Sequence, residues 1–189
     1  MEIGIWGDSI TYGESDNEGL GWVGRFRKSF PLEDYVGVYN RGICGDTTED
    51  LLKRFTTEAE AIQPNTILFA IGINDSKYPV DKEGNKVSLE DFKRNIESLV
   101  EQAKKYSHTI FIVGLTKVNE SAIESGSKFT NEQIGIYNDC LKNFADTNGY
   151  GFINIFDVLD IQTDLYDGLH PNAQGYEKLS KVVLDTVKI

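Results

Sequence analysis

Five short apolar runs, separated by stretches in which apolar residues recur at helical spacing, most constrain how this chain can fold. In chain order the runs are EIGIW, YVGVYN, TILFAIG, TIFIVGL and GFINIF. The third run is apolar on both faces, which is typical of a central parallel strand. Strands that alternate with helices predict a parallel sheet with helices on both of its faces. Five strands favour the doubly wound, flavodoxin-like α/β fold with strand order 2-1-3-4-5.

Polar residues before the helical stretches predict where the helices begin. The pair Asp46 and Glu49 is typical of a capping pair at the start of the helix after the second strand. Ser88 is expected to start the helix after the third strand. Thr130 and Gln133 predict a capping box for the helix after the fourth strand.

Length, charge and cysteine content narrow the class of protein. A chain of 189 residues with no linker or internal repeat is expected to form one domain over residues 1–189. A net charge of −11 argues against a nucleic-acid partner and against docking on an anionic membrane. No apolar stretch is long enough to span a membrane, and no signal peptide is recognisable. Cys44 and Cys140 lie in apolar contexts typical of reduced, buried thiols, so a cytoplasmic location is expected.

Ser9 follows the first strand, and its chemistry depends on which histidine can reach it. A serine nucleophile needs a base, usually histidine. His108 precedes the fourth strand and should lie at the opposite edge of the sheet, about 17–20 Å away, so it is expected to be structural or exposed. His170 follows the fifth strand, with Asp167 three residues upstream to orient it. The alternative is an ordinary polar loop in which Asn172 caps the last helix.

Two further strand ends offer hydrogen-bond donors at the same edge of the sheet. Gly45 follows the second strand and precedes a helix, so its N–H can point into a site at this edge. Asn74 follows the third strand and carries a side-chain amide. Such donors stabilise the oxyanion that develops during acyl transfer. Taken singly, Gly45 is better explained as a turn glycine and Asn74 as a loop residue.

The segments GDSIT, GDTT, GINDS and DGLHP together resemble the four blocks of the SGNH (GDSL) hydrolases, in that family's order and over nearly the whole chain. The resemblance implies a three-layer α/β/α fold and no cofactor or metal ion. It implies that Ser9 is the nucleophile, His170 the base and Asp167 the third member of the triad. The implied oxyanion donors are the backbone N–H groups of Ser9 and Gly45 and the side chain of Asn74.

The function that this resemblance implies is hydrolysis of carboxylic esters of small molecules through an acyl-enzyme intermediate. The absence of a long apolar lid in the sequence favours short acyl or acetyl esters, with a carbohydrate or a lysolipid as candidate alcohols. Long connections at residues 76–87 and 117–129 leave the carboxyl edge of the sheet, where such folds bind ligands. We expect them to form mobile walls that select substrates. The aromatic residues expected to line the pocket are Tyr12, Trp22, Tyr78, Phe129 and Tyr166.

Two alternatives stay open at this point. A Mg²⁺-dependent phosphatase would use Asp8 as its nucleophile and take metal ligands from GINDS, but it would want a carboxylate where Ile10 stands. A flavodoxin-like binding module would use no catalytic residues, but the hydroxyl-rich phosphate loop that it needs is missing after the first strand. In the hydrolase interpretation, Asp8 and Asp75 hold loops through backbone N–H groups, and Cys44 serves packing.

Overall fold

The five predicted strands form one parallel sheet in the order β2-β1-β3-β4-β5, which confirms the predicted order. The structure is a computed structural model that describes residues 1–79, 83–123 and 128–187. The strands are β1 (Glu2–Gly7), β2 (Gly37–Gly42), β3 (Thr66–Ala70), β4 (Thr109–Val113) and β5 (Gly151–Ile153).

Helices cover both faces of this sheet, as the alternating sequence pattern predicts. On one side α2 packs against α7, and α3 packs against α5 in the other helical layer. A short 3₁₀ turn over Leu32–Asp34 precedes β2. The α-helices are α1 (Ser9–Tyr12), α2 (Gly21–Lys28), α3 (Thr48–Ile62), α4 (Ile73–Ser76), α5 (Leu89–Ala103), α6 (Asn131–Asn148) and α7 (Ala173–Thr186).

The core is centred on β1 and β3, whose apolar side chains are buried on both faces. On the α3 side, the Trp6 and Phe55 rings meet edge to face with centroids 4.8 Å apart, and Phe55 lies 5.1 Å from Phe69. Full burial of one such aromatic side chain contributes about 1.5–3 kcal/mol to the free energy of unfolding. This packing fixes α3 against the centre of the sheet.

The carboxyl ends of three strands lie at one level, and this determines where the segments after these strands begin. Gly7 at the end of β1 is opposite Gly42 in β2 and Ala70 in β3. Because the strands are parallel, the chain leaves all three at the same edge of the sheet. The segments carrying Ser9 and Asn74 therefore start side by side.

The helix starts are confirmed with one correction. Ser88 and Thr130 are N-caps, as predicted, and their side chains accept hydrogen bonds from the backbone N–H of the third residue of each helix, Asp91 and Gln133. Among the described residues, the second bond of the predicted Thr130–Gln133 capping box, from Thr130 N–H to the Gln133 side chain, is not formed. The prediction for α3 was wrong by one residue, since Thr47 is the N-cap and forms a capping box with Asp50. The Asp46 carboxylate instead accepts a hydrogen bond from Arg54 Nε at 2.7 Å.

The prediction of two buried thiols was also wrong. Cys140 is half-buried, and Cys44 is exposed on the turn after β2. There the Cys44 thiol donates to Glu14 Oε2 at 3.4 Å. Partial burial and this carboxylate raise the pKa of Cys44 to about 11, so the thiol is protonated at neutral pH.

The two long connections after β3 and β4 lie against each other. Tyr78 and Lys128 exchange backbone hydrogen bonds of 2.8 and 2.9 Å in an isolated antiparallel bridge. The Lys77 ammonium lies 5.7 Å from the centroid of the Phe129 ring. The described ends of the two connections are thus tied together. Residues 80–82 and 124–127 of these connections lie outside the described residues, and the mobility expected of the two connections stays a prediction.

Within the parts of the chain that the structure describes, no helix is both long and apolar enough to cross a membrane. The cytoplasmic location and the single domain over residues 1–189 stay predictions.

Candidate active site

Ser9, His170 and Asp167 form a continuous chain of hydrogen bonds. Ser9 Oγ lies 2.9 Å from His170 Nε2, and His170 Nδ1 lies 2.7 Å from Asp167 Oδ2. Ser9 is 7% exposed, whereas the Asp167 side chain is 42% exposed. The serine side chain therefore meets an imidazole whose other nitrogen is held by a carboxylate.

Asp167 also organises the turn that carries the imidazole. Its Oδ1 accepts hydrogen bonds from the backbone N–H groups of Leu169 at 3.0 Å and His170 at 2.7 Å. Partial burial alone would raise the pKa of Asp167, but the hydrogen bonds from the His170 ring and these two N–H groups outweigh it and hold the pKa below its ordinary value. The carboxylate is therefore charged at neutral pH.

The same turn is closed by its own backbone and by the second long connection. Tyr166 N–H donates to His170 O at 2.8 Å, and Asn119 N–H donates to Gly168 O, also at 2.8 Å. Gly168 has φ of +86°, and a Cβ there would lie 2.9 Å from Asn119 O and 3.0 Å from Ala122 Cβ. Only glycine fits this position, both for its backbone conformation and for the close approach of residues 119–122.

A buried carboxyl forms the turn that presents Ser9. Asp8 is the N-cap of α1 and accepts a hydrogen bond from Ile10 N–H at 3.0 Å. Burial, together with the nearby Asp75 carboxylate, raises the pKa of Asp8 to about 7 although Ile10 N–H opposes the shift. A buried carboxyl committed to a backbone N–H is not presented to a substrate, which argues against Asp8 as a nucleophile. Across the described ranges, no three His, Cys, Asp or Glu side chains are grouped to hold a metal ion.

The predicted oxyanion donors of the second and third strand ends lie next to each other. Asn74 is buried, and its Nδ2 donates to Asp46 O at 3.0 Å, beside the Gly45–Asp46 peptide. Gly45 is exposed with φ of +84°, and no atom of the described residues lies within 4 Å of the position of a Cβ. Asp75 fixes the start of α3 next to Asn74 through a backbone N–H, as predicted. Both of its carboxylate oxygens accept a hydrogen bond from Thr48 N–H, at 3.0 and 3.2 Å.

Other residues singled out from the sequence lie elsewhere. His108 is exposed, in keeping with its predicted place away from the site. Trp22 and Phe129 are buried, and Trp22 lines a small cavity beside Asp8 and Thr11. Their expected place in the lining of a substrate pocket stays a prediction. Tyr12 and Tyr166 remain candidates, because they are 57% and 74% exposed. A groove of about 490 Å³ between α5 and α6 contains neither Ser9 nor His170, so cavity size does not mark this site.

Sequence reasoning missed two residues that hold the site, Arg54 and Asn119. Arg54 forms an i,i+4 pair with Glu58, a pattern typical of an exposed helix face. Asn119 contacts the His170 turn through its backbone N–H, which any residue except proline supplies. Neither residue type nor spacing could therefore have marked them.

Comparison with known proteins finds esterases that are similar to this chain in sequence and in fold. A multidomain esterase of Ruminococcus flavefaciens is 28% identical over 222 residues, which cover 96% of this chain and 28% of that protein, so the chain spans less than a third of that relative. An acetylxylan esterase of Geobacillus stearothermophilus is 28% identical over 200 residues, covering 94% of this chain and 90% of that protein. A crystal structure of an acetylxylan esterase from Geobacillus stearothermophilus superposes with a TM-score of 0.80 at 21% identity, over 100% of this chain and 94% of that one.

The sequence model of the GDSL-like lipase/acylhydrolase family matches residues 5–178. That range includes Ser9, Gly45, Asn74, Asp167 and His170. It favours the hydrolase interpretation over the phosphatase and the binding module, and the enzyme class is that of GDSL-type esterases and acylhydrolases. The chain belongs to the GDSL-like lipase/acylhydrolase family.

Proposed function

We propose that the chain hydrolyses carboxylic esters with Ser9 as the nucleophile, His170 as the base and Asp167 as the group that orients the base. The observation that carries the proposal is the 2.9 Å contact between Ser9 Oγ and His170 Nε2, continued by the 2.7 Å contact from His170 Nδ1 to Asp167. In this arrangement neutral His170 accepts the serine proton as Oγ attacks the ester carbonyl. The charged Asp167 stabilises the imidazolium that results.

The negative charge that develops on the carbonyl oxygen is stabilised by three donors in this proposal. They are the backbone N–H groups of Ser9 and Gly45 and the Nδ2 group of Asn74. Asn74 Nδ2 carries two hydrogens, and the bond to Asp46 O uses one, which leaves the second for the substrate. His170 then returns its proton to the leaving alcohol. A water molecule, deprotonated by His170, releases the carboxylic acid from the acyl-enzyme.

For the substrate we propose acetyl esters of neutral carbohydrates. The acetyl preference rests on a relative that is named an acetylxylan esterase. The match to this chain covers 90% of that relative's length. A net charge of −11 disfavours acidic esters, which the field of the protein repels. The exposed rings of Tyr12 and Tyr166 stand close in sequence to Ser9 and Asp167 and are available to a sugar ring.

The test is hydrolysis of p-nitrophenyl acetate, butyrate and octanoate, an acetylated xylo-oligosaccharide and a lysophospholipid, each with wild type and Ser9→Ala. We expect acetate to be the best p-nitrophenyl ester, the oligosaccharide to be deacetylated, and Ser9→Ala to lose roughly 10⁴–10⁶ in kcat. An ethylphosphonate probe should add one adduct, on Ser9. A preference for the lysophospholipid would overturn the substrate, and an active Ser9→Ala variant would overturn the mechanism.

A further inference from the structure

One guanidinium group joins the segments that carry the proposed oxyanion donors. Arg54 lies on α3, and its side chain is only 15% exposed. Its Nη2 donates to the carbonyls of Gly7 at 3.1 Å and Arg41 at 3.0 Å. Its Nε donates to Asp46 Oδ2 at 2.7 Å, and Nη1 donates to Glu58 Oε2 at 2.9 Å. All three nitrogens of the group are thus engaged.

The groups that this guanidinium contacts are the supports of the donors themselves. Gly7 precedes Ser9 by two residues at the end of β1. Asp46 follows Gly45 directly, and its carbonyl accepts the hydrogen bond from Asn74 Nδ2. The β1 end, the turn after β2 and the Asn74 amide therefore share one anchor. Movement of that anchor shifts the donors relative to one another.

The planar shape of arginine matters for this role. A guanidinium presents five N–H donors in a rigid fork, whereas a lysine ammonium is a single point of charge. The carboxylate on the far side is itself fixed, because Trp6 Nε1 donates to Glu58 Oε2 at 2.9 Å. A lysine at position 54 keeps the charge near Asp46 but cannot reach two carbonyls and two carboxylates together.

We propose that Arg54 is a positioning residue for the oxyanion site, an inference that rests on the proposed ester hydrolysis. It sets the spacing of the Ser9, Gly45 and Asn74 donors and contacts neither the substrate nor the reacting atoms. Displacement of a donor from the oxyanion reduces the stabilisation of the transition state more than it reduces binding of the ester. Loss of the fork should consequently lower kcat and leave KM nearly unchanged.

The variant is Arg54→Lys, assayed on p-nitrophenyl acetate. We expect kcat to fall about 10- to 100-fold, with KM changed less than about threefold, since a single oxyanion donor is worth about 10²–10³. The matched control is Arg94→Lys on α5, where the arginine is exposed and pairs with Glu90. This control should retain the wild-type kcat.

A double-mutant cycle with Asn74→Ala separates positioning from general loss of structure. If Arg54 acts through the donors, Arg54→Lys should cost a clearly smaller factor in the Asn74→Ala background than in wild type. The same factor in both backgrounds, or a folded Arg54→Lys variant with wild-type kcat, overturns the inference. If Arg54→Lys does not fold, Asp46→Ala serves instead, because it keeps the backbone carbonyl that binds Asn74 and removes the carboxylate that binds Arg54. A loss of about 3- to 10-fold in kcat is expected, and none overturns the inference.

The inference and the proposed function can fail separately. An active Ser9→Ala variant contradicts the proposed function whatever Arg54→Lys does. An inactive Ser9→Ala variant beside a fully active Arg54→Lys variant contradicts the inference alone.

Discussion

Asn74 and the Gly45–Asp46 peptide are fastened by buried side chains, whereas Asp167 and His170 stand on a turn closed by backbone hydrogen bonds. We call Ser9, Gly45 and Asn74 the donor side of the site, and Asp167 and His170 the acid–base side. On the donor side, Arg54 and Asp75 reach in from the helices. On the acid–base side, the contacts come from within the turn and from residues 119–122.

This difference predicts how substitutions reach the two sides. The donor side depends on side chains that α3 and α4 contribute, so changes on these helices alter it. The acid–base side depends on backbone geometry, so it is sensitive to changes in φ or in backbone contacts and tolerant of most side-chain changes nearby. The predictions below test that contrast.

The largest effect is expected on the acid–base side itself. His170→Ala removes the proposed base and should lower kcat/KM by roughly 10⁴-fold, because no other residue of the proposed site accepts the proton from Ser9. The free energy of unfolding should change little, since the ring bonds only to Ser9 and Asp167 among the described residues. His108→Ala is the control and should keep wild-type kcat/KM. Substantial activity in His170→Ala would remove His170 from the role of base.

On the donor side, Asn74→Ala should lower kcat by roughly 10²–10³ with little change in KM, because the amide bonds most strongly to the developing oxyanion. Steady-state kinetics on p-nitrophenyl acetate measures both constants. An unchanged kcat would limit Asn74 to its structural bond with Asp46 O.

Two glycines with nearly the same φ offer a matched comparison of the two sides. Gly45→Ala should cost about 1–2 kcal/mol of unfolding free energy, from backbone strain alone, because the position of its Cβ is open. Gly168→Ala should cost a further 1–3 kcal/mol, because its Cβ would meet Asn119 O at 2.9 Å. Denaturant unfolding measures both. Equal costs would show that the contact with residues 119–122 is not tight.

The buried carboxyls of the donor side predict a pH effect of opposite sign to that of Asp167. The pKa of Asp8 is raised from 3.8 to about 7, so the folded protein holds a proton that the unfolded chain releases. Stability from this group is present below pH 4 and is lost as pH rises towards 7. The lowered pKa of Asp167 acts in reverse, because its contribution is present above about pH 4 and is lost in acid.

Asp8→Asn should therefore stabilise the protein, because asparagine is an equally good N-cap and carries no charge. The gain in unfolding free energy should be about 2–3 kcal/mol larger at pH 8 than at pH 5. Urea unfolding of wild type and variant at both pH values gives the difference. An equal gain at the two pH values would mean that Asp8 does not titrate between them.

The sequence predicts the parts of this molecule that depend on local pattern. Strand order follows from the alternation of apolar runs and helices, and the Ser88 and Thr130 caps follow from a polar residue that directly precedes a helical stretch. The Asp46–Glu49 pair was wrong by one residue because Thr47 and Asp50 offer the same spacing and form the capping box, while Arg54 Nε binds the Asp46 carboxylate. The exposure of Cys44 was missed because an apolar neighbour was taken as a sign of burial. That neighbour, Ile43, is itself 45% exposed on the turn.

The candidate site residues could be placed from the sequence to the extent that each follows a strand end. Ser9 and His170 leave the same carboxyl edge of a parallel sheet, so the contact between them follows from topology, and Asn74 follows β3 at that edge. The antiparallel bridge between Tyr78 and Lys128 joins two irregular segments that carry no pairing pattern. The substrate-selecting role of these two connections stays a prediction.

The bond from Asn119 N–H to Gly168 O has a consequence for engineering. A connection transplanted from another esterase to change substrate preference would also change what supports the proposed base, because residues 119–122 pack on the His170 turn. Such a graft should preserve activity when its backbone follows the same path, whatever side chains it brings. Proline at position 119 is the exception, because it has no N–H to donate.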